Sequence, residues 1–304
     1  MSSFAKKFSL LLTVAVAVST FTGCSGHTFE KGESKLVEVK QLAEYTQKEN
    51  VTVVDMRAQE EYAKGHLQGA VNIPVSEIVI NVPVKNMLTS KKKIEKLLSN
   101  AGISNDTTVV AYDGDKMSAA RFLWTLFMYG HENVMVVNGG IEAIKASGAE
   151  LSTETPTITP AVFTAKEPSS EWLVKQDRVL EQVNNPDPNV ILLDVRSDEE
   201  YIQDGKIPSS IMMDYNTNYY GDNTLKDIQT TQINYLQAKI FPENEIIIYC
   251  KTSFRAAPVF LQLYEAGYRN IKLYDGAYLE WSQNSSNPID RPAGAQAPTK
   301  QDAS

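Results

Sequence analysis

The sequence predicts an α/β protein made of two tandem copies of one domain, each a parallel sheet with helices on both faces. Three observations carry this. With 304 residues, 42% of them hydrophobic and 22% charged, the chain is long enough for about two ordinary domains with real cores. Blocks of the first half recur in the second at a nearly constant offset. Short β-branched apolar runs alternate with helical patterns, as they do where strands are buried beneath helices on both sides.

In chain order, the first segment is a leader. Lys6 and Lys7 precede the apolar run "FSLLLTVAVAV", which is too short to span a bilayer comfortably and reads as an export signal over residues 1–23. "FTGC" resembles the lipobox of bacterial lipoproteins, with Phe21 where leucine is usual and Cys24 as the lipid acceptor. This implies an exported protein, lipid-anchored to a bacterial membrane and facing outside the cytoplasm. Residues 24–35 then form a flexible tether. The first copy covers 36–150, a Thr/Ser/Pro-rich linker 151–170, the second copy 171–288, and a disordered tail 289–304.

The repeat fixes the elements. Asp55, Arg57, Glu61 and Tyr62 recur as Asp194, Arg196, Glu200 and Tyr201, offset by 139 positions. Tyr112, Gly130 and Gly139 recur as Tyr249, Gly267 and Gly276, offset by 137. An offset this regular marks a duplicated domain rather than a solenoid, whose repeats are far shorter. The strands are "VTVVD", "AVNIP", "TVVAY" and "NVMVV" in the first copy, and "VILLD", "SIMMD", "EIIIY" and "NIKLY" in the second. "KKKIEKLLSNAG", "SAARFLWTLFMYG" and "AAPVFLQLYEAG" are helices that close on glycine. The Asp/Arg pairs are structural, and Phe122, Trp124, Phe127 and Tyr129 belong to the core.

Charge narrows the function. A net charge of −8 gives no basic face for nucleic acid, so an anionic substrate needs a local positive site. Three histidines and two cysteines give no metal-ligand spacing, and no cofactor is expected. With Cys24 lipidated, Cys250 is the remaining thiol, and a lone cysteine in an exported chain is a candidate nucleophile. "YCKTSFRA" places it between strand "EIIIY" and a helix beginning near Ala256, with Pro258 in that helix's first turn. Ligands of such sheets sit at the carboxyl ends of the strands. Backbone N–H groups at a helix start, together with Lys251 and Arg255, favour a thiolate and then an anionic sulfur group. The competing reading is a small buried residue at a strand end.

These motifs together resemble a rhodanese: "LLDVR…EEY", "YC…RA" and "LYDGAYLEW" in the second copy, and "GHLQGAVNIP" in the first. "DNTLK" at Asp222–Lys226 is similar to the family's DGTFK. The resemblance runs from about residue 36 to 288 and implies a tandem-domain thiosulfate sulfurtransferase whose C-terminal copy is active. Asp113 occupies the position of Cys250 in the first copy. A carboxylate cannot carry a sulfane sulfur, so that copy is expected to be silent and to cover the cleft. The implied substrates are a small anionic sulfur donor and a thiophilic acceptor, cyanide or a thiol. The implied site is Cys250 as nucleophile, with Lys251, Thr252, Ser253, Phe254 and Arg255 around the substrate. Lys251 would steer the anion in, and Arg255 would hold it or brace the loop.

Departures from the family pattern set the alternatives. Ser253 stands where the loop commonly has glycine, and a side chain resists a left-handed backbone. Glu200 stands where vertebrate-type thiosulfate enzymes carry a substrate-binding arginine. "GKIPSS" replaces the second GHIPGA. Lys251 resembles the thiosulfate type more than the mercaptopyruvate type, which has glycine there. A dual-specificity-type phosphatase needs one more residue between cysteine and arginine than the four present here, so the shorter loop favours sulfur. A non-catalytic sulfur-binding module is the remaining rival.

Overall fold

The computed structural model describes residues 20–22 and 26–292; the apolar leader run and Cys24 lie outside them. Each copy is a five-stranded, wholly parallel sheet. The first has the order Leu36–Val37, Val134–Val137, Thr108–Tyr112, Val51–Asp55, Val71–Asn72. The second repeats it as Leu173–Val174, Ile271–Tyr274, Glu245–Tyr249, Val190–Asp194, Ile211–Met212. The central strands are buried on both faces, which is why they read as unbroken apolar runs. Asp55 pairs in register with Tyr112, and Asp194 with Tyr249, so the carboxyl ends of the central strands lie side by side in both sheets. The edge strands Leu36–Val37 and Leu173–Val174 were not expected from the sequence.

The copies share one core. Every residue of the helix Ser118–Met128 is buried. It packs on its counterpart Ala256–Glu265, so both are apolar nearly all round. Phe127 meets Phe260 edge to face at 6.2 Å, and Trp172 stands 5.7 Å from Phe127 and 5.6 Å from Phe260. Truncating such a ring to alanine typically costs about 3–5 kcal/mol. Phe122, Trp124, Phe127 and Tyr129 are all in this core.

The Asp/Arg pairs are strand-end staples. Arg57 and Arg196 each grip their aspartate through Nε and Nη2. Each then donates to the carbonyl of the glycine that ends the following helix, Gly65 or Gly205.

Three segments depart from expectation. Residues 26–35, expected as a flexible tether, lie across the second copy. Phe29 is buried against Tyr268, Glu30 N–H donates to the Gly267 carbonyl, and Glu265 accepts from Lys35 N and Ser34 Oγ. The 151–170 linker is a strap on the first copy. Leu151–Ser152 pairs antiparallel with His66–Leu67, Phe163 is buried, and Lys166 N donates to the Tyr129 carbonyl. The start of the expected disordered tail is docked: Asp290 bridges Lys206, and Arg291 donates to the Asp204 carbonyl. These stretches lack periodicity, and single buried side chains plus backbone hydrogen bonds hold them.

Candidate active site

Cys250 follows the strand Glu245–Tyr249 directly, and the loop 250–255 feeds the helix Ala256–Glu265. The thiol is 1% exposed, at the floor of the loop. The second copy's own backbone fixes the loop's ends. Tyr278 N donates to the Cys250 carbonyl, Leu279 N to that of Lys251, and Ala257 N to that of Phe254.

Arg255 lies within the field of the thiol, but its guanidinium is clamped by Glu200 through two charge-assisted bonds of 2.5 and 2.8 Å. The Glu200 bond, followed by the charge of Cys250, drives the guanidinium well above its ordinary value against the effect of burial. Burial would raise the Glu200 carboxyl, yet the bond and charge of Arg255 prevail and hold it below the usual carboxylate range. Glu200 is aimed by a capping box: Ser197 caps its N–H while Glu200 accepts from Ser197 N. The sequence showed Glu200 as a lost cation; the structure shows that it also neutralises a second one. Lys251 was expected to steer an anion. Instead its Nζ pairs with Asp204 Oδ2 at 2.6 Å, so neither loop cation is free of a carboxylate.

Ser253 does adopt the left-handed backbone that it was expected to resist, with φ 61°, a conformation that costs about 1–2 kcal/mol for a residue with a Cβ. Its Oγ, wholly buried, accepts from Arg121 Nη1 and donates to Asp275 Oδ1, both at 2.9 Å. Thr252 Oγ1 accepts from Asn86 Nδ2 at 3.1 Å. Phe254 faces Arg121, whose Cζ lies 5.8 Å from its ring centre. Tyr215, whose hydroxyl is raised first by burial and then by the charges of Asp214, Asp115 and Cys250 against the pull of Arg255, stands with its ring centre 6.0 Å from Arg255 Cζ. Arg121, Asn86, Tyr215 and Asp275 were not singled out in the sequence. A lone arginine in the helix "SAARFLWTLFM" was the available signal, since a buried cation needs a partner.

Asp113 sits at the corresponding point of the first copy. Its carboxylate accepts from Lys116 N and Ala119 N at 3.3 and 2.9 Å, and burial, then the charge of Asp115, pushes it up to about 7. The copies touch reciprocally. Leu88 N donates to Asp275, and Leu225 N, 137 positions on, donates to Asn138. Each copy thus lays a loop over the other's strand ends. Among the described residues no cluster has the makings of a metal site.

A parallel-sheet pair of this kind, with a cysteine in a six-residue strand-to-helix loop, defines the class. The Rhodanese-like domain family matches residues 38–147 and 175–284, and the chain belongs to this family of sulfurtransferases. It is 29% identical over 248 residues to a Saccharopolyspora erythraea protein provisionally named a thiosulfate sulfurtransferase, covering 76% of this chain and 86% of that one. It is 30% identical over 247 residues to the sulfur carrier protein TtuD of Thermus thermophilus, covering 75% and 86%. In fold it is similar to the anaerobic ergothioneine biosynthesis enzyme of Chlorobium limicola, with a TM-score of 0.76 at 23% identity over 84% of this chain and 70% of that one.

Proposed function

We propose that the protein moves a sulfane sulfur from thiosulfate to a thiophilic acceptor, cyanide or a thiol, through a persulfide on Cys250. The observation that supports this best is the placement of Cys250, a buried thiol at a strand's carboxyl end beside Arg255 and a helix N-terminus. In the first half-reaction the Cys250 thiolate attacks the outer sulfur of thiosulfate. The S–S bond to the sulfonate breaks, its electron pair leaves with sulfite, and an anionic Cys250 persulfide remains. In the second, cyanide or a thiolate attacks the terminal sulfur, giving thiocyanate or a new persulfide and returning the Cys250 thiolate. Loop N–H groups and the helix start oppose the negative charge on the terminal sulfur.

A second donor class is favoured by one observation, the pairing of both loop cations with Glu200 and Asp204. A neutralised mouth offers a dianion little attraction and suits a sulfur carried on a thiol, consistent with the resemblance to a sulfur carrier. For location, we retain export and lipid attachment at Cys24 as a proposal resting on the "FTGC" motif.

Intact mass after incubation with thiosulfate tests the central claim. A gain of about 32 Da, lost on adding cyanide and absent in Cys250→Ser, is expected. No gain from thiosulfate, mercaptopyruvate or polysulfide would sink it. A faster gain from a small-molecule thiol persulfide than from thiosulfate at equal concentration selects the carrier reading.

A further inference from the structure

The first copy lacks a cysteine, yet its side chains reach into the Cys250 loop. Arg121 Nη1 donates to Ser253 Oγ, its Nη2 pairs with Asp275 Oδ1 at 2.6 Å, and the same Nη2 donates to the Asn86 carbonyl. Asn86 Nδ2 in turn donates to Thr252. We propose that Arg121 is a positioning residue for sulfur transfer, acting through Ser253 to hold the middle of the Cys250 loop in its left-handed turn. The proposal rests on the Cys250 reading above.

Backbone shape is the same in both loops: Lys116, 137 positions before Ser253, has φ 65° against 61°. The first-copy loop is braced from within by carboxylates. Asp113 accepts from Lys116 N and Ala119 N, and Asp115 accepts from Met117 N, Ser118 N and Ser118 Oγ. In the second copy Cys250 and Thr252 occupy those two positions. Carboxylates beside a persulfide would repel its charge, so a sulfur-bearing loop must be braced differently. Ser253 spends its hydroxyl in both senses, accepting from Arg121 and donating to Asp275. The brace is a cation of the opposite copy paired with Asp275, and it leaves loop residues 250–255 themselves free of negative side chains. Arg121 has no mirror image, because its counterpart 137 positions on is Pro258. The buried cation is therefore found only on the side that faces the cysteine. Glycine at 253 would permit the same turn but could not be gripped.

The full chain carries the test, in three readouts. These are hydrogen exchange of the 251–255 amides, the rate of iodoacetamide alkylation at Cys250 located by peptide mass, and single-turnover sulfur uptake from thiosulfate. In Arg121→Met, loop exchange rises about 10-fold or more and sulfur uptake slows about 10–100-fold, while thiosulfate half-saturation stays within about 2-fold, as for a misplaced reacting group. Arg121→Lys recovers part of the rate. Ser253→Ala moves all three readouts the same way, and the Arg121→Met/Ser253→Ala pair is no slower than the worse single variant, because the two act in series. Should Arg121→Met not fold, Ser253→Ala and Ser253→Gly, which leave the Arg121–Asp275 pair intact, decide the matter through exchange and alkylation. Unchanged loop exchange and alkylation, or rate losses that multiply in the double variant, would overturn the proposal. If the wild-type protein takes up no sulfur, the Cys250 reading falls, while exchange and alkylation still decide whether Arg121 holds the loop.

Discussion

The loop at Asp113 and the loop at Cys250 have one backbone and opposite electrostatics. Positive φ recurs at matched positions nearby, with Asn86 and Asn223 at 67° and 68° and Gly140 and Ala277 at 58° and 55°, while Gly139 at 80° differs from Gly276 at −65°. In the first copy a carboxylate fills the ring of helix-start N–H groups and pays for it in a strongly raised pKa. In the second, a thiol takes that position, and the carboxylates around it, Glu200, Asp204 and Asp275, stand outside the loop, each bound to a cation. A copy without the cysteine thus keeps the left-handed turn of the loop. What separates the two is where negative charge is allowed to stand.

The largest expected effect tests which loop works. Cys250→Ser abolishes the sulfur gain, with transfer falling by about three orders of magnitude or more in a cyanide assay. Asp113→Cys in that background restores less than about a hundredth of the activity, since Asp115 remains in the loop and Ser118 stands where the second copy has Arg255. Recovery beyond that would show that charge placement does not separate the copies.

Asp113 gives the next effect, in stability. A carboxyl raised to about 7 keeps in the native state a proton that the unfolded chain has released. Native stability therefore falls as pH rises from about 4 to about 7, by up to about 4 kcal/mol. Asp113→Asn removes this slope. Thermal melts across that window, compared between the two proteins, check it, and parallel curves would contradict it.

Glu200→Gln is smaller. It frees Arg255 and lowers half-saturation for thiosulfate about 3–10-fold, with a stronger salt dependence, since a half-buried pair of this kind is worth about 1 kcal/mol. Because the Glu200 carboxyl is held below its ordinary value, the stability from its pair is full above about pH 5 and is lost as pH falls through the depressed value. Lys251→Ala should do least: its pair with Asp204 is partly exposed, and a change of about 0.5 kcal/mol in melting free energy is expected.

Much of this was legible in the sequence, because duplication prints itself twice. All eight expected strands and the three expected helices are present, and Cys250 and Asp113 fall where the offset put them. The edge strands Leu36–Val37 and Leu173–Val174 were invisible, since two residues carry no period. Ion pairing at the site was also hidden. Glu200 and Arg255 lie 55 positions apart, and nothing local says that an acidic helix start will face a loop cation. Ser253 read as a backbone problem because its hydroxyl partners, Arg121 and Asp275, come from different copies.

The strand-like segment around Phe29 has a bearing on how the molecule is made. Residues 26–35 leave the ribosome before either copy, but their resting place, around Tyr268 and Arg269, emerges late; Arg269 Nη2 and the Glu30 carbonyl are 239 positions apart. That stretch must wait, undocked, while both copies are synthesised. Its docking closes a very long loop, the slow kind of step in which entropy is surrendered before any contact is gained. Burial of Phe29 is then a timestamp: it records that the second copy, and with it the cysteine, has been completed.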